Sequence, residues 1–192
     1  MAKGLLIVYA GASGVGKGTI MKQLLNSDSN FRLSVSATTR APRPGEIDGV
    51  HYSFVTKDEF QKLINNDGLL EYANYCGNFY GTPRKAVYDM LDAGIDVFLE
   101  IEIKGFLQIK EKYPECVTIF LLPPSIDELE RRLVGRGTEE YDVIKKRLQA
   151  AKEELTYADQ FDYTVINDDV NRATKEVLDI ISNIKKERNK EN

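Results

Sequence analysis

Residues 11–17 read Gly-Ala-Ser-Gly-Val-Gly-Lys, which fits the pattern G-x-x-x-x-G-K. An apolar run at 4–10 precedes them and a helix-length stretch at 17–25 follows, the order such a loop needs. Glycines at this spacing let successive backbone N–H groups turn inward without Cβ clashes, so a concave nest and a helix N-terminus face one anion. Lys17 adds a full positive charge near the β and γ phosphates of a triphosphate. The expected triphosphate-binding set is therefore Gly11, Ala12, Ser13, Gly14, Val15, Gly16, Lys17, Gly18 and Thr19, with Lys17 also catalytic. A glycine-rich turn with an ordinary surface lysine would leave the flanking strand and helix unexplained. Position 18 is glycine, where many such loops place a hydroxyl on Mg²⁺. The cation is accordingly expected on nucleotide oxygens and water, with no certain protein ligand and Thr19 helping only through water.

A second group is Arg40 and Arg43, three residues apart in the stretch 34–46, which is rich in hydroxyls and made extended by its prolines. Guanidinium forks match phosphate oxygens, and each charge-assisted bond adds about 1.5–3 kcal/mol, so a dianionic monophosphate suits them. Taken alone, the same stretch reads as a solvated basic loop.

Short apolar runs alternating with amphipathic stretches must position these groups, which predicts an α/β domain with a mainly parallel sheet. Core strands are expected at 4–10, 32–36, 96–102, 117–122 and 163–166. Thr56 with Glu59 and Ser125 with Glu128 have capping-box spacing, and Thr82 before Pro83 supplies an N-cap with proline at the first helical position. Between 37 and 82 the rhythm breaks, which predicts an inserted, partly antiparallel subdomain. Residues 135–147, opening on a Gly-rich charged run, are expected to form a lid. The remaining segments, 1–36, 83–134 and 148–192, would be the core of one domain.

Composition bounds the rest. An apolar content of 42% over 192 residues suffices for a core. With 26 basic against 30 acidic side chains there is no global cationic field to hold nucleic acid or an anionic membrane. The apolar run at 5–10 is far shorter than the ~20 residues of a membrane span. One histidine, His51, and two cysteines, Cys76 and Cys116, without C-x-x-C spacing speak against a zinc site and for a reducing, cytoplasmic location. His51 is expected at the surface.

The ordered set of motifs resembles the guanylate kinase family from residue 4 to 177. Beside the phosphate loop it comprises S-V-S-x-T-T-R-x-P-R-x-G-E at 34–46, G-V-H-Y at 49–52, L-E-Y at 70–72, G-N-F-Y-G-T at 77–82 and L-E-I-E at 99–102. G-R-G-T-E at 135–139, K-R-L at 146–148 and N-D-D at 167–169 complete it. The resemblance implies a P-loop NTPase-type α/β fold with a GMP-binding insertion at 37–82. It implies that Ser36, Arg40, Arg43, Tyr52 and Tyr80 hold the GMP phosphate, that Glu71, Thr82 and Glu102 address the guanine edge, and that Glu100 lies in the GMP-binding set. It implies that Arg132, Arg136 and Arg147 approach the ATP phosphates, with Asn167 near the adenine. Lys17, Arg136, Arg147 and Arg43 are the expected catalytic residues. Glu100 and Glu102 stand where the family often has aspartates, and Lys104 replaces a frequent glutamine, with no role assigned.

Singly, Glu71 also reads as an exposed strand carboxylate, Tyr52 and Tyr80 as core aromatics and Thr82 as a helix cap. Together they imply direct, in-line transfer of the γ-phosphoryl group of Mg·ATP to GMP or dGMP, with both irregular segments closing first. The alternatives are a non-catalytic phosphopeptide-binding module, or a P-loop kinase of another phosphorylated acceptor. A P-loop GTPase is disfavoured because no N-K-x-D signature occurs.

Overall fold

A computed structural model of the chain describes residues 3–75, 77–135 and 141–191, with residues 141, 142 and 191 described by backbone alone. In chain order come β1 (Leu6–Gly11), α1 (Lys17–Ser27), β2 (Phe31–Leu33), β3 (Ala37–Thr38), β4 (Ser53–Phe54), α2 (Lys57–Asn65), β5 (Leu69–Tyr75) and β6 (Asn78–Pro83). Then follow α3 (Arg84–Asp92), β7 (Asp96–Glu100), α4 (Ile103–Lys112), β8 (Val117–Leu122), α5 (Ile126–Val134), α6 (Tyr141–Leu155), β9 (Tyr163–Ile166) and α7 (Val170–Glu191). The expected α/β architecture is present. One sheet runs β2-β7-β1-β8-β9, and a second, mixed sheet runs β4-β3-β6-β5. Pairing is parallel for β2 with β7 and for β8 with β9, as expected for strands joined by helical crossovers. Both β1 and β8 read as near-continuous buried runs, the signature of strands covered on both faces.

The chain divides by packing into two compact units, Met1–Val8 with Asn30–Val117 and Tyr9–Ser29 with Thr118–Asn192. In the first, Phe31 meets Phe98 edge to face at 5.3 Å. Beside the mixed sheet a small cluster of Ala37, Phe60 and Leu69 is closed by Val55, Leu63, Ile64 and Phe79. The helix carrying Phe60, α2, begins with the full capping box: Thr56 accepts from Glu59 N–H and Glu59 accepts from Thr56 N–H. In the second unit, Ile20, Met21 and Leu24 of α1 are buried, and α1 packs on α7.

Strand β1 is shifted to Leu6–Gly11 from the expected 4–10, and three further differences from the sequence reading bear on the site. Strand β2 stops at Leu33, short of residue 36, because the chain leaves the first sheet there: Ser34 N–H still donates to Phe98 O (2.9 Å), whereas Ser36 O accepts from Ser53 N–H (2.9 Å). Strand β7 ends at Glu100 because Glu102 is already the N-cap of α4. Thr82 does not cap a helix. It is a residue of β6, the N-cap of α3 is Pro83 without a side-chain bond, and the Thr82 hydroxyl has a different partner. No described helix is long and apolar enough to cross a membrane.

Candidate active site

The second unit carries the phosphate loop. It connects β1 to α1, with Gly16 as the helix N-cap. Gly14 and Gly16 hold φ of 86° and 97°, the left-handed region that a side chain resists, and an added Cβ at Gly16 would lie 2.6 Å from Asn167 Nδ2. Lys17 Nζ donates to Gly11 O (2.6 Å) and Ala12 O (3.2 Å), folded along its own loop. Asn167 is buried, and its side-chain amide donates to Val15 O (2.7 Å). Arg132 donates to Asn167 O (3.0 Å) and, through Nε, to Glu128 Oε1 (2.8 Å). Glu128, flanked by Arg131 and Arg132, is held down at about 2 and stays ionised to orient them. Arg147 reaches the loop at Ser13 Oγ (3.1 Å). The structure thus gathers Arg132, Arg147 and Asn167 on the loop; Arg136 lies outside the described residues. Thr19 is exposed on the first turn of α1, which has no acidic residue.

The first unit carries an anion cluster built on the mixed sheet. Arg40 follows β3, and its guanidinium lies 5.4 Å from the Tyr52 ring centre, a cation–π distance. Tyr52 and Tyr80 meet edge to face at 6.1 Å, Tyr80 being brought in by β6, which pairs antiparallel with β3. Burial, then the Tyr80 phenol beside it, push the Tyr52 phenol up. Glu46, within the motif run but absent from the expected set, holds this cluster. Its carboxylate receives both Arg40 terminal nitrogens (2.8 and 3.0 Å) and the Arg43 backbone N–H (2.7 Å). Those bonds hold its carboxyl at about 2. The Arg43 side chain is exposed, and Ser36 is half-buried beside β4.

An arginine stem carries roughly 2 kcal/mol of rotamer entropy, and Glu46 removes part of it before any ligand arrives. The expected outcome of Glu46→Gln is therefore a several-fold higher KM for the monophosphate, from the lost pre-ordering of Arg40. Its kcat and its KM for the triphosphate should stay near wild type. Steady-state kinetics with each substrate varied checks this, and an unchanged monophosphate KM would refute the role.

Glu71 lies deeper, in β5. Register against β6 slips between Leu69, opposite Pro83, and Tyr72, opposite Gly81, so the strand carries an extra residue there. That bulge lets Leu69, Leu70 and Glu71 all be buried in succession, which simple alternation forbids. The Thr82 hydroxyl donates to Glu71 Oε1 (2.6 Å). Oε2 faces Gly105 of α4, where an added Cβ would sit 2.5 Å away, so any larger residue there would displace the carboxylate. Gln108, one turn later, donates to Tyr72 O (2.8 Å) and accepts from Tyr72 N–H (3.2 Å), closing the open edge of β5 beside Glu71. Burial pushes the Glu71 carboxyl up to about 7, with the nearby Glu102 charge adding to the rise. Glu102 itself is exposed, and Glu100 is half-buried with its charge felt by Tyr52. Lys104 is exposed, as is His51, whose Nδ1 accepts from Ile47 N–H (3.0 Å).

A loop shaped for a triphosphate, and elsewhere an arginine–tyrosine cluster beside a buried carboxylate, are the equipment of a P-loop nucleotide kinase. Whole-chain comparison narrows the class. The family described as guanylate kinase matches residues 3–184, and the chain belongs to that family. It is 54% identical over 180 residues to the guanylate kinase of Streptococcus pneumoniae R6, covering 93% of this chain and 86% of that one. Identity is also 54% over 179 residues with the guanylate kinase of Lactococcus lactis subsp. lactis, covering 93% and 87%. The crystal structure of guanylate kinase from Anaplasma phagocytophilum is similar with a TM-score of 0.76 at 34% identity, over 94% of this chain and 86% of that one. A gluconokinase from Sinorhizobium meliloti, at 14% identity and TM-score 0.54, shares the fold alone.

Proposed function

We propose that the chain transfers the γ-phosphoryl group of ATP to GMP, and also to dGMP, giving ADP and GDP by direct in-line attack. The observation that supports this best is the buried Glu71 carboxylate, held by Thr82 and given room by Gly105. Guanine offers N1–H and a 2-amino group as adjacent donors to a carboxylate, whereas adenine offers an N1 lone pair and no 2-amine.

The residues divide the work. In the acceptor set, Arg40, Arg43, Ser36, Tyr52 and Tyr80 bind the GMP phosphate, and Glu71, Thr82 and Glu102 orient the base, with Glu100 alongside. In the donor set, the loop from Gly11 to Thr19 cradles the ATP phosphates, and Asn167 and Arg132 brace it at Val15. The attacking phosphate oxygen is anionic near neutral pH, so no general base is required and catalysis rests on positioning and charge neutralisation. Lys17, Arg147, Arg43 and Arg136 supply the neutralising charge. With glycine at position 18, the hydroxyl the loop offers near the cation is that of Thr19. That donor set suits a cation carried by the nucleotide, with the Thr19 hydroxyl reaching it through water. Bound with ATP, Mg²⁺ would draw charge from the β and γ oxygens.

Because water competes for the γ phosphorus, we further propose that the 37–82 insertion and the 135–147 lid close over the nucleotides before transfer. We place the activity in the cytoplasm and in purine nucleotide metabolism. The deciding experiment is a coupled ADP-release assay across nucleoside monophosphates. GMP should give the highest kcat/KM, with AMP lower by roughly 10⁴-fold, as for a site built on buried hydrogen bonds. Equal rates with GMP and AMP would overturn the assignment of the acceptor.

A further inference from the structure

We propose that Glu154 is a positioning residue of the ATP half-site, holding the phosphate loop in shape from α6 through a carboxylate bond to Ser13 N–H. The inference rests on the reading of that loop as the ATP site. Glu154 Oε2 accepts from Ser13 N–H at 2.8 Å across 141 residues of sequence. Arg147 lies two helical turns earlier, so both side chains project from one face of α6. Its Nε and Nη2 donate to Ser13 Oγ at 3.3 and 3.1 Å. One loop residue is therefore gripped at its backbone and its side chain by two groups of opposite charge on a helix outside the loop.

The grip answers a specific weakness. Glycines at positions 11, 14 and 16 give the loop backbone wide conformational freedom, which ordering by a ligand must overcome. Within the loop, Val15 N–H closes a turn on Ala12 O (3.1 Å), and Ser13 N–H, which that turn does not engage, is held from outside by Glu154. A carboxylate supplies the stronger, charge-assisted kind of bond. It does so without taking the amides of Gly14 and Gly16, the left-handed glycines that shape the nest. The negative charge sets a cost against an incoming triphosphate, which the Arg147 guanidinium on the same residue and Lys17 on the loop counter. Pre-ordering then outweighs repulsion, and Glu154 strengthens ATP binding.

Calorimetric titration of the full chain with a non-hydrolysable ATP analogue and, separately, with GMP tests this. Glu154→Ala should weaken the analogue about tenfold, the factor that about 1.4 kcal/mol gives, and leave the GMP Kd and Tm unchanged. Glu154→Gln, whose amide oxygen still accepts from Ser13 N–H, should recover to within about threefold of wild type. An analogue Kd at the wild-type value in Glu154→Ala overturns the proposal, as does an equal loss for both ligands with a lowered Tm. Should Glu154→Ala not fold, Glu154→Asp withdraws the carboxylate by one methylene and must show the same ATP-specific loss; wild-type binding by it overturns the proposal too. If the wild-type chain bound GMP but not the analogue, the loop's assignment would fall first, an outcome distinct from any behaviour of the variants.

Discussion

Replacing Lys17 with methionine should lower kcat by about 10²–10³ while the protein folds and melts as wild type. The Lys17 ammonium donates to neutral carbonyls of its own loop, Gly11 O and Ala12 O among them. Phosphate oxygens carry full charge and make the stronger bond, so a bound triphosphate draws Nζ away from the carbonyls. The charge that then accumulates on the transferring group is neutralised in a site from which water is excluded, where one fixed cation is worth far more than in bulk. Methionine retains the stem's length and apolar contacts and removes only that charge. Gly11 and Ala12 are buried but Lys17 is only half-buried, so solvent can take the place of its ammonium, which is why stability should hold. Rapid-quench single turnovers with a thermal melt alongside make the check. A variant within about threefold of wild-type kcat would show that Lys17 does not act on the reacting phosphates.

The donor half-site was largely legible in the sequence because its chemistry is local: glycines, lysine, strand and helix all fall within 25 consecutive residues. What braces the loop was not. Glu154 and Asn167 act on Ser13 and Val15 from 141 and 152 residues away, and an ordinary helical glutamate carries no mark of such a partner. Arg132, Arg147 and Asn167 entered only through the family resemblance, for the same reason. The acceptor set was half legible. Arg40 and Arg43 suit an anion by their spacing, though only the surrounding motifs set that reading above a solvated basic loop, and Glu46, three residues beyond Arg43, could have been noticed as the nearest carboxylate able to fold back onto them. The bulge at Leu70–Glu71 could not, since a register slip follows from pairing with β6 and not from the composition of β5. Thr82 shows the failure most plainly. Its place before a proline at a helix start is a sound local signal for a cap, and a tertiary hydrogen bond to Glu71 took the hydroxyl instead. Gly105, which no local signal in the sequence marks out, is a space made for a carboxylate.

Glu71 carries the second large effect, because its charge state and its selectivity are one question. Burial holds its carboxyl at about 7 against an ordinary 4.5. Without ligand it is therefore mostly protonated below neutral pH and ionised above. The ionised form is the one that accepts from both guanine donors, so GMP affinity should rise as pH climbs through 7, with KM at pH 6 about tenfold its value at pH 8. Stability should move the other way. Between pH 4.5 and 7 the folded chain holds a proton that the unfolded chain has released. This carboxyl's contribution is thus fully present below about pH 4.5 and lost as pH rises to about 7. The second ionisation of the GMP phosphate, near pH 6, also bears on the KM profile, but it acts equally on a Glu71→Gln variant. Subtracting the two profiles isolates the carboxyl. Glutamine keeps the volume and one acceptor, but turns an amide donor towards a base edge made of donors and towards the N1 lone pair of adenine. GMP preference over AMP should therefore fall by about 10²-fold or more in Glu71→Gln, with the KM for ATP unmoved and the pH-dependent fall in Tm gone. If that variant kept the preference, or if both chains gave the same profile, the base edge would have to be read by some other group.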